Sequence, residues 1–396
     1  MVLRQHPHAI RTLSAQSASV TCVTVTYGER WHYLQQVLQA LVQHHDNLDH
    51  IIVVNNGSSQ AIDDLIEQHF PGQAITTINL ASNTGSAGGF HIGMEAAYRD
   101  QSDYIWLLDD DTVPQAHALQ YLLDHCLAQD HPDQHAAFCD RPDLSDPSHT
   151  SSPQAASWQT DSFLGFDIFD RLGRLQNRIR QKLSGRNKPH AIPAISQIQI
   201  EPTATAFTAD KKAIKADYAP YGGLLFPRRW IERIGLPNIA LHTYKDDIDF
   251  TLRMTDLGKQ IWLVPQARLS DLETDWNRQT YRLRQWLMQG VDLGRLYYVV
   301  RNRSWLEQKR QHYPLRHLAN QWFYLTYLAM LGLFKEHHPI IMGRRLKLIH
   351  SAIQDARHNR MGARHELLSQ ADVMGLSQHQ DQSKSSSSRY HLPQQY

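Results

Sequence analysis

The chain has 396 residues, with 40 Lys+Arg against 39 Asp+Glu and a formal net charge of +1, so no global electrostatic case for nucleic-acid binding exists. That length holds two ordinary domains or one large one with appendages. Cys22, Cys126 and Cys139 are an odd set without metal-ligand spacing, which points to a reducing compartment rather than a disulfide framework.

The first 18 residues are polar and His-containing and lack the apolar core of a signal peptide, so export is not expected and a cytoplasmic location is. From Val20 to Cys126, short β-branched runs alternate with helical periods. The strands are read at Val20–Thr26, Ile51–Val54, Ile75–Leu80 and Tyr104–Leu108, and the helices at Trp31–Val42, Ala61–His69, Gly88–Tyr98 and Gln115–Cys126. Such alternation predicts parallel strands joined by helical crossovers, an open α/β sheet with its site at the strand ends.

Three motifs sit at those ends. Asn55-Asn56-Gly57-Ser58 follows the second strand, where amide side chains could read a base or ribose or simply make an Asn-Gly turn. Asn83 to Phe90 follows the third strand and opens a helix. Gly85, Gly88 and Gly89 there permit close backbone approach at a helix N-terminus, to a nucleoside diphosphate or within a structural turn, and the spacing is neither a P-loop nor a dinucleotide fingerprint. Asp109-Asp110-Asp111 follows the fourth strand. Clustered carboxylates there suit Mg2+ or Mn2+ bridging to substrate phosphates, or else cap a helix starting near Thr112-Val-Pro114.

Between about 140 and 215 the periodicity fades into a turn-rich, basic insertion, with Arg171 to Lys188 read as a solvated loop face or a contact for phosphate or anionic membrane. Order resumes at Tyr218–Phe226. A helix over Arg228–Ile234 is stopped by Gly235, a second is expected around Asp246–Met254, and a strand at Gln260–Val264. Asp249 and Arg253, four apart, suit an ion pair, which leaves Asp246 and Asp247 for a general base near a metal-diphosphate. From Tyr281 the chain reads as helical, and from about Gln370 as a low-complexity, disordered tail.

The apolar run Trp322–Phe334 is too short to span a bilayer. With Arg344, Arg345 and Lys347 after it, the run could rest on an anionic leaflet, while a buried interdomain or homo-oligomer helix accounts for it equally well. His44-His45 and His337-His338 are adjacent pairs without zinc spacing. Trp31, Trp230, Trp262 and Trp286 read as packing residues.

Taken in order, Val25-Thr-Tyr27, Val53–Ser58, Asn83–Phe90, Trp106–Asp111, Gly222-Gly-Leu-Leu225 and Asp246–Phe250 resemble the motif series of family-2 inverting glycosyltransferases. These have the GT-A fold, and the likeness is to the galactofuranosyl- and rhamnosyltransferase branch. It covers roughly Val20 to Val264, and Leu296–Asn302 is similar to a segment often following that core.

The resemblance implies a Rossmann-like mixed sheet over 19–270 carrying the insertion, a helical region over 271–369 and a tail over 370–396. It implies that Asp109 and Asp111 are the ends of a DxD motif binding Mn2+ or Mg2+. Thr26, Tyr27, Arg30, Asn55, Asn83, Gly85, Gly88, Gly89, Asp109 and Asp110 would hold the nucleotide-sugar. Tyr221, Gly222 and Gly223 would line the acceptor side. Asp247 would be the base, with Asp246 its nearest rival.

Two departures stand out: Asn55 replaces a base-reading aspartate, and Ser270-Asp271 stands where relatives often place a metal-binding histidine, so Asp271 is a candidate third ligand. The expected partners are UDP-galactofuranose, favoured over dTDP-rhamnose, and a surface-glycan or lipid-linked acceptor at the cytoplasmic face of the inner membrane. Nucleotidyl transfer and a noncatalytic glycan-binding relative are the rival readings.

Overall fold

The computed structural model describes residues 17–44, 48–141, 158, 160–164, 166–173, 176, 212–273, 293–335 and 339–364. Contacts divide the chain into two compact units. One comprises Met1–Trp158, Lys188–His242 and Asp246–Gln279, the other Gln159–Asn187, Thr243–Lys245 and Thr280–Tyr396.

The first unit is built on a mixed sheet. Its strands, among the described residues, are β1 (Val20–Thr26), β2 (Leu48–Asn56), β3 (Ile75–Leu80), β4 (Tyr104–Asp109), β5 (Thr112–Pro114), β6 (His135–Asp140), β7 (Ile214–Ala216), β8 (Leu224–Pro227) and β9 (Gln260–Asp271). They lie in the order β3-β2-β1-β4-β8-β6-β9-β5, with β7 on β9. β1 to β4 are mutually parallel, and antiparallel β8 lies between β4 and β6, so β6 and its parallel neighbour β9 run the same way as β1.

Strand parity divides the core. Cys22, Val53, Tyr104, Trp106 and Leu108 face α1 (Trp31–His44), α2 (Ile62–His69) and α4 (Ala118–Leu127). Val23, Val25, Ile52, Val54, Ile105 and Leu107 pack with residues of α3 (Gly85–Arg99) and α5 (Asp246–Asp256). A sheet covered on both faces needs near-continuous apolar strands, which is what these sequences are.

The alternation read from Val20 to Cys126 is present, with the second strand running over Leu48–Asn56 rather than Ile51–Val54 alone. Three readings are corrected. Thr112–Pro114 is not a helix start: it pairs antiparallel with β9, Thr112 opposite Asp271, so α4 begins only at Ala118 and the aspartates cap no helix. The strand expected at Gln260–Val264 runs on to Asp271, because both β5 and β6 pair along it. The helix expected from Gly88 begins at Gly85.

The insertion expected over 140–215 contributes β7 at its far end, and its described residues between 160 and 176 group with the helical unit rather than the sheet. Trp31 and Trp230 are core residues as read, whereas Trp286 lies outside the described residues. So do most of the basic run 171–188, the histidines at 45, 337 and 338, and the tail from 370.

The second unit contains α6 (Leu293–Arg310), α7 (Pro314–Lys335) and α8 (Pro339–Arg357). Phe163, Tyr297, Tyr298, Tyr324, Leu328 and Ile353 are among its core residues. Buried Arg301 sits over the Tyr298 ring at 4.9 Å and donates to the Gly362 carbonyl at 2.6 Å. Buried Asn302 donates to the carbonyls of Thr243 and Tyr244 at 2.8 and 2.7 Å, which ties that three-residue link to α6. Among the described residues, no helix is long and apolar enough to cross a membrane.

Candidate active site

Because β1, β2, β4, β6 and β9 run the same way, Thr26, Asn56, Asp109, Asp140 and Asp271 all end at one edge. Antiparallel β8 begins there, so the Gly222-Gly223 turn before it arrives at the same edge. The edge collects acidic side chains that need counter-charges.

Two arginines supply them. Arg30, at the start of α1, binds Asp110 through Nε and Nη2 at 3.0–3.1 Å, Asp111 through Nη2 at 3.0 Å and Glu273 through Nη1 at 2.8 Å. Thr26 adds a hydroxyl donor to Asp110 at 2.7 Å. Arg141, one residue beyond β6, donates to Asp109 Oδ2 at 2.7 Å and lies 3.8 Å from Asp271. A Cβ on Gly222 would stand 1.4 Å from the Arg141 Nη2 and 2.4 Å from Asp109 Oδ2, so the glycine makes room for this ion pair.

Five carboxylates thus face two guanidiniums. The shortfall registers on Asp111: burial, then the charges of Asp109 and Asp110, push its carboxyl up to about 7.

Donors of this kind and this excess negative charge fit a divalent cation. The cage is not preformed, however. Among the described residues no three carboxylate, imidazole or thiol groups converge as ligands would, and Arg141 takes the place between Asp109 and Asp271.

The Asn83–Gly89 turn is held by Asn56, whose Oδ1 accepts from the Thr84 amide and hydroxyl at 2.9 Å and whose Nδ2 donates to the Gly85 carbonyl at 3.0 Å. Gly57 needs its φ of +75° and its bareness, because a Cβ would sit 2.5 Å from the Asn83 nitrogen. Gly85, Gly88 and Gly89 also pack against protein: their Cβ positions fall on the His242 carbonyl, the Thr84 side chain and Val25 Cγ1. The donors at the start of α3 are partly used, since Ala87 N–H binds the His242 carbonyl at 3.0 Å. Asn55 accepts from Ser58 N–H at 2.9 Å and donates to Asn79 at 2.8 Å, while Tyr27 is 45% exposed with its ring 5.1 Å from the Arg30 guanidinium.

The first turn of α5 brings in the second acidic pair. Asp246 is only 2% exposed, and one of its oxygens accepts from Ser86 Oγ, on α3, at 3.0 Å. The other oxygen is buried without a hydrogen-bond partner among the described residues. Burial, then the negative charge of Asp247, push Asp246 up to about 8.

Asp247 is half-buried and accepts from Ile248 N–H at 2.8 Å. Asp249 pairs with Arg253 at 3.2 Å, the i to i+4 pair its spacing suggested. Tyr221 is buried against Phe90 at 4.5 Å, and its hydroxyl also has no hydrogen-bond partner among the described residues.

Sequence reasoning missed Arg141, Glu273, Ser86 and the clamping role of Asn56. Only Arg141 had a usable signal: Ala136-Ala-Phe-Cys139 is an apolar run, and reading it as β6 would have placed Arg141 at a strand end. A separate hollow lined by Asp133, Arg229, Trp230, Arg233 and Lys259 lies at the opposite edge, where β6 and β9 begin.

Residues 21–199 match the family model described as glycosyl transferase family 2. The chain is 25% identical over 321 residues to galactofuranosyltransferase GlfT1 of Mycolicibacterium smegmatis, covering 78% of this chain and 90% of that protein. Against GlfT1 of Mycobacterium tuberculosis H37Rv it is 25% identical over 337 residues, 83% and 96% of the two chains. Among solved structures it resembles S. aureus TarS 1-349 in complex with UDP-GlcNAc, with TM-score 0.46 and 11% identity over 85% of this chain and 81% of that one.

Proposed function

From the premise that the chain is a glycosyltransferase of GT-A fold with a family-2 domain over residues 21–199, we propose that it moves galactofuranose from UDP-galactofuranose to a hydroxyl of a cell-surface or lipid-linked glycan, with inversion. The observation that carries the donor is the likeness to two GlfT1 proteins over most of both chains. Its place of work is the cytoplasm, where the free and buried Cys22, Cys126 and Cys139 would stay reduced.

In this reading Thr26, Tyr27, Asn55 and the turn from Asn83 through Gly85, Gly88 and Gly89 border the nucleotide. Arg30 keeps Asp110 and Asp111 in place. A divalent cation, Mn2+ or Mg2+, held by Asp109, Asp111 and Asp271, would supply positive charge to the leaving diphosphate. Arg141 brings a second positive charge to the same edge, where the diphosphate becomes more negative as its bond to the sugar breaks.

Asp247 is the base. Burial, and after it the charge of Asp247, raises Asp246, so Asp246 holds a proton beside Ser86 and the more exposed Asp247 is left to accept one. As the acceptor oxygen bonds to the anomeric carbon, its proton passes to Asp247 and the bond to the diphosphate opens on the far face. Tyr221, Gly222 and Gly223 border the acceptor side.

The test is a donor screen with UDP-galactofuranose, dTDP-rhamnose and common UDP-hexoses, each with and without Mn2+. Turnover of UDP-galactofuranose to UDP is the expected result, and preferential use of dTDP-rhamnose would overturn the donor. Asp247→Asn should bind UDP like the parent and lower kcat by about 10²- to 10⁴-fold, the range of a lost general base. Full activity in that variant would move the role to Asp246.

A further inference from the structure

α7 turns its apolar side outward. His317, Asn320, Gln321, Tyr324 and Leu328 are buried, whereas Leu315 is 83% exposed and Trp322 63% exposed. Leu318, Phe323, Tyr327 and Met330 are exposed with them, at helical spacing. The one charged residue between 314 and 334 is Arg316, and it points to Asp167 and Asp170 at 2.6 and 3.0 Å.

Those ion pairs, with the bond from Ile168 N–H to Asn320 at 2.9 Å, fix residues 167–170 beside α7. Exposed Phe169 and Leu172 widen the apolar face there. A face this rich in exposed aromatic side chains is a surface built to be covered.

Charge says by what. Residues 293–364 contain thirteen Lys and Arg against three Asp and Glu, although the whole chain is nearly neutral. Only three residues separate α7 from α8, whose first turns expose Arg344 and Lys347. A second copy would bring one cationic helical unit against another, at an electrostatic cost. A negatively charged lipid leaflet complements both the aromatic stripe and the charge, and no spanning helix is needed.

We propose that α7 lies in the plane of an anionic membrane surface, with Trp322, Phe323, Tyr327 and Met330 among the headgroups and acyl ends and the basic first turns of α8 against the phosphates. This rests on the helical unit alone and is read without donor, cation or turnover.

The experiment is flotation of the full chain with vesicles of phosphatidylcholine alone or with about one third phosphatidylglycerol, in low and high salt. The expected result is binding to the anionic vesicles about tenfold or more above the neutral ones, weakened by salt. Trp322→Ser with Tyr327→Ser should lose most binding at unchanged far-UV circular dichroism, and Arg344→Gln with Lys347→Gln should weaken binding to the anionic vesicles toward the neutral level. A parent that stays off both vesicles overturns the proposal. So does a parent dimer that the Trp322 and Tyr327 substitutions dissociate while vesicle binding is absent, which would make the stripe a contact between copies.

Discussion

Asp111 sits where burial and like charge oppose its ionisation, and two consequences follow. Its carboxyl is raised from 3.8 to about 7, so the folded protein holds a proton there that the unfolded chain has released. Without metal, this group does no harm below pH 3.8, erodes stability as pH rises through that window, and exerts its full penalty above about 7. Asp111→Asn should therefore raise the thermal midpoint of the metal-free protein at pH 8 and leave it nearly unchanged at pH 4. The same substitution should abolish the stabilisation that Mn2+ gives the parent, and calorimetry with and without Mn2+ reads both. Arg141→Gln separates the roles of the two guanidiniums: it removes the positive charge beside Asp109 and Asp271 and should tighten Mn2+ binding while weakening UDP binding.

At the scale of elements, the glycines of the Asn83–Phe90 motif are where β1, α3 and the Asn83 turn meet. A Cβ on Gly89 falls 2.4 Å from Val25 Cγ1, against a buried strand with little room to move. Gly89→Ala should lower stability by about 1–3 kcal/mol through overpacking, read by urea denaturation. Gly222→Ala acts differently, since its methyl group would occupy the space of the Arg141 guanidinium. It should separate Arg141 from Asp109 and reduce kcat/KM by about 10²-fold, the scale of an ångström-level misplacement.

Over the whole molecule, near-neutrality conceals a division of labour by charge. The sheet edge concentrates Asp109, Asp110, Asp111, Asp271 and Glu273, and the helical unit concentrates Lys and Arg. Because cation ligands must be deprotonated, Mn2+ affinity should climb as pH rises through about 7, following Asp111, and flatten above it. Isothermal titration across that range checks this, and an affinity independent of pH would remove Asp111 from the ligand set.

The amino-acid sequence alone determined the alternating β/α half of the sheet, because covered parallel strands must be nearly continuous apolar runs and their crossover helices must be amphipathic. It also determined that Asp109–Asp111, Asn55–Ser58 and Asn83–Phe90 meet at one edge, since motifs that follow parallel strands end up together. It could not place β5, β6 or the extension of β9, whose pairing partners lie more than a hundred residues away for β5 and β9. With them it missed Arg141 and Glu273. That Arg30 serves the aspartates, that Gly89 packs on Val25 and that the α7 stripe faces outward emerges from the folded chain. Counter-charges, close packing and exposure depend on which distant side chains share a space, and local periodicity carries no record of that.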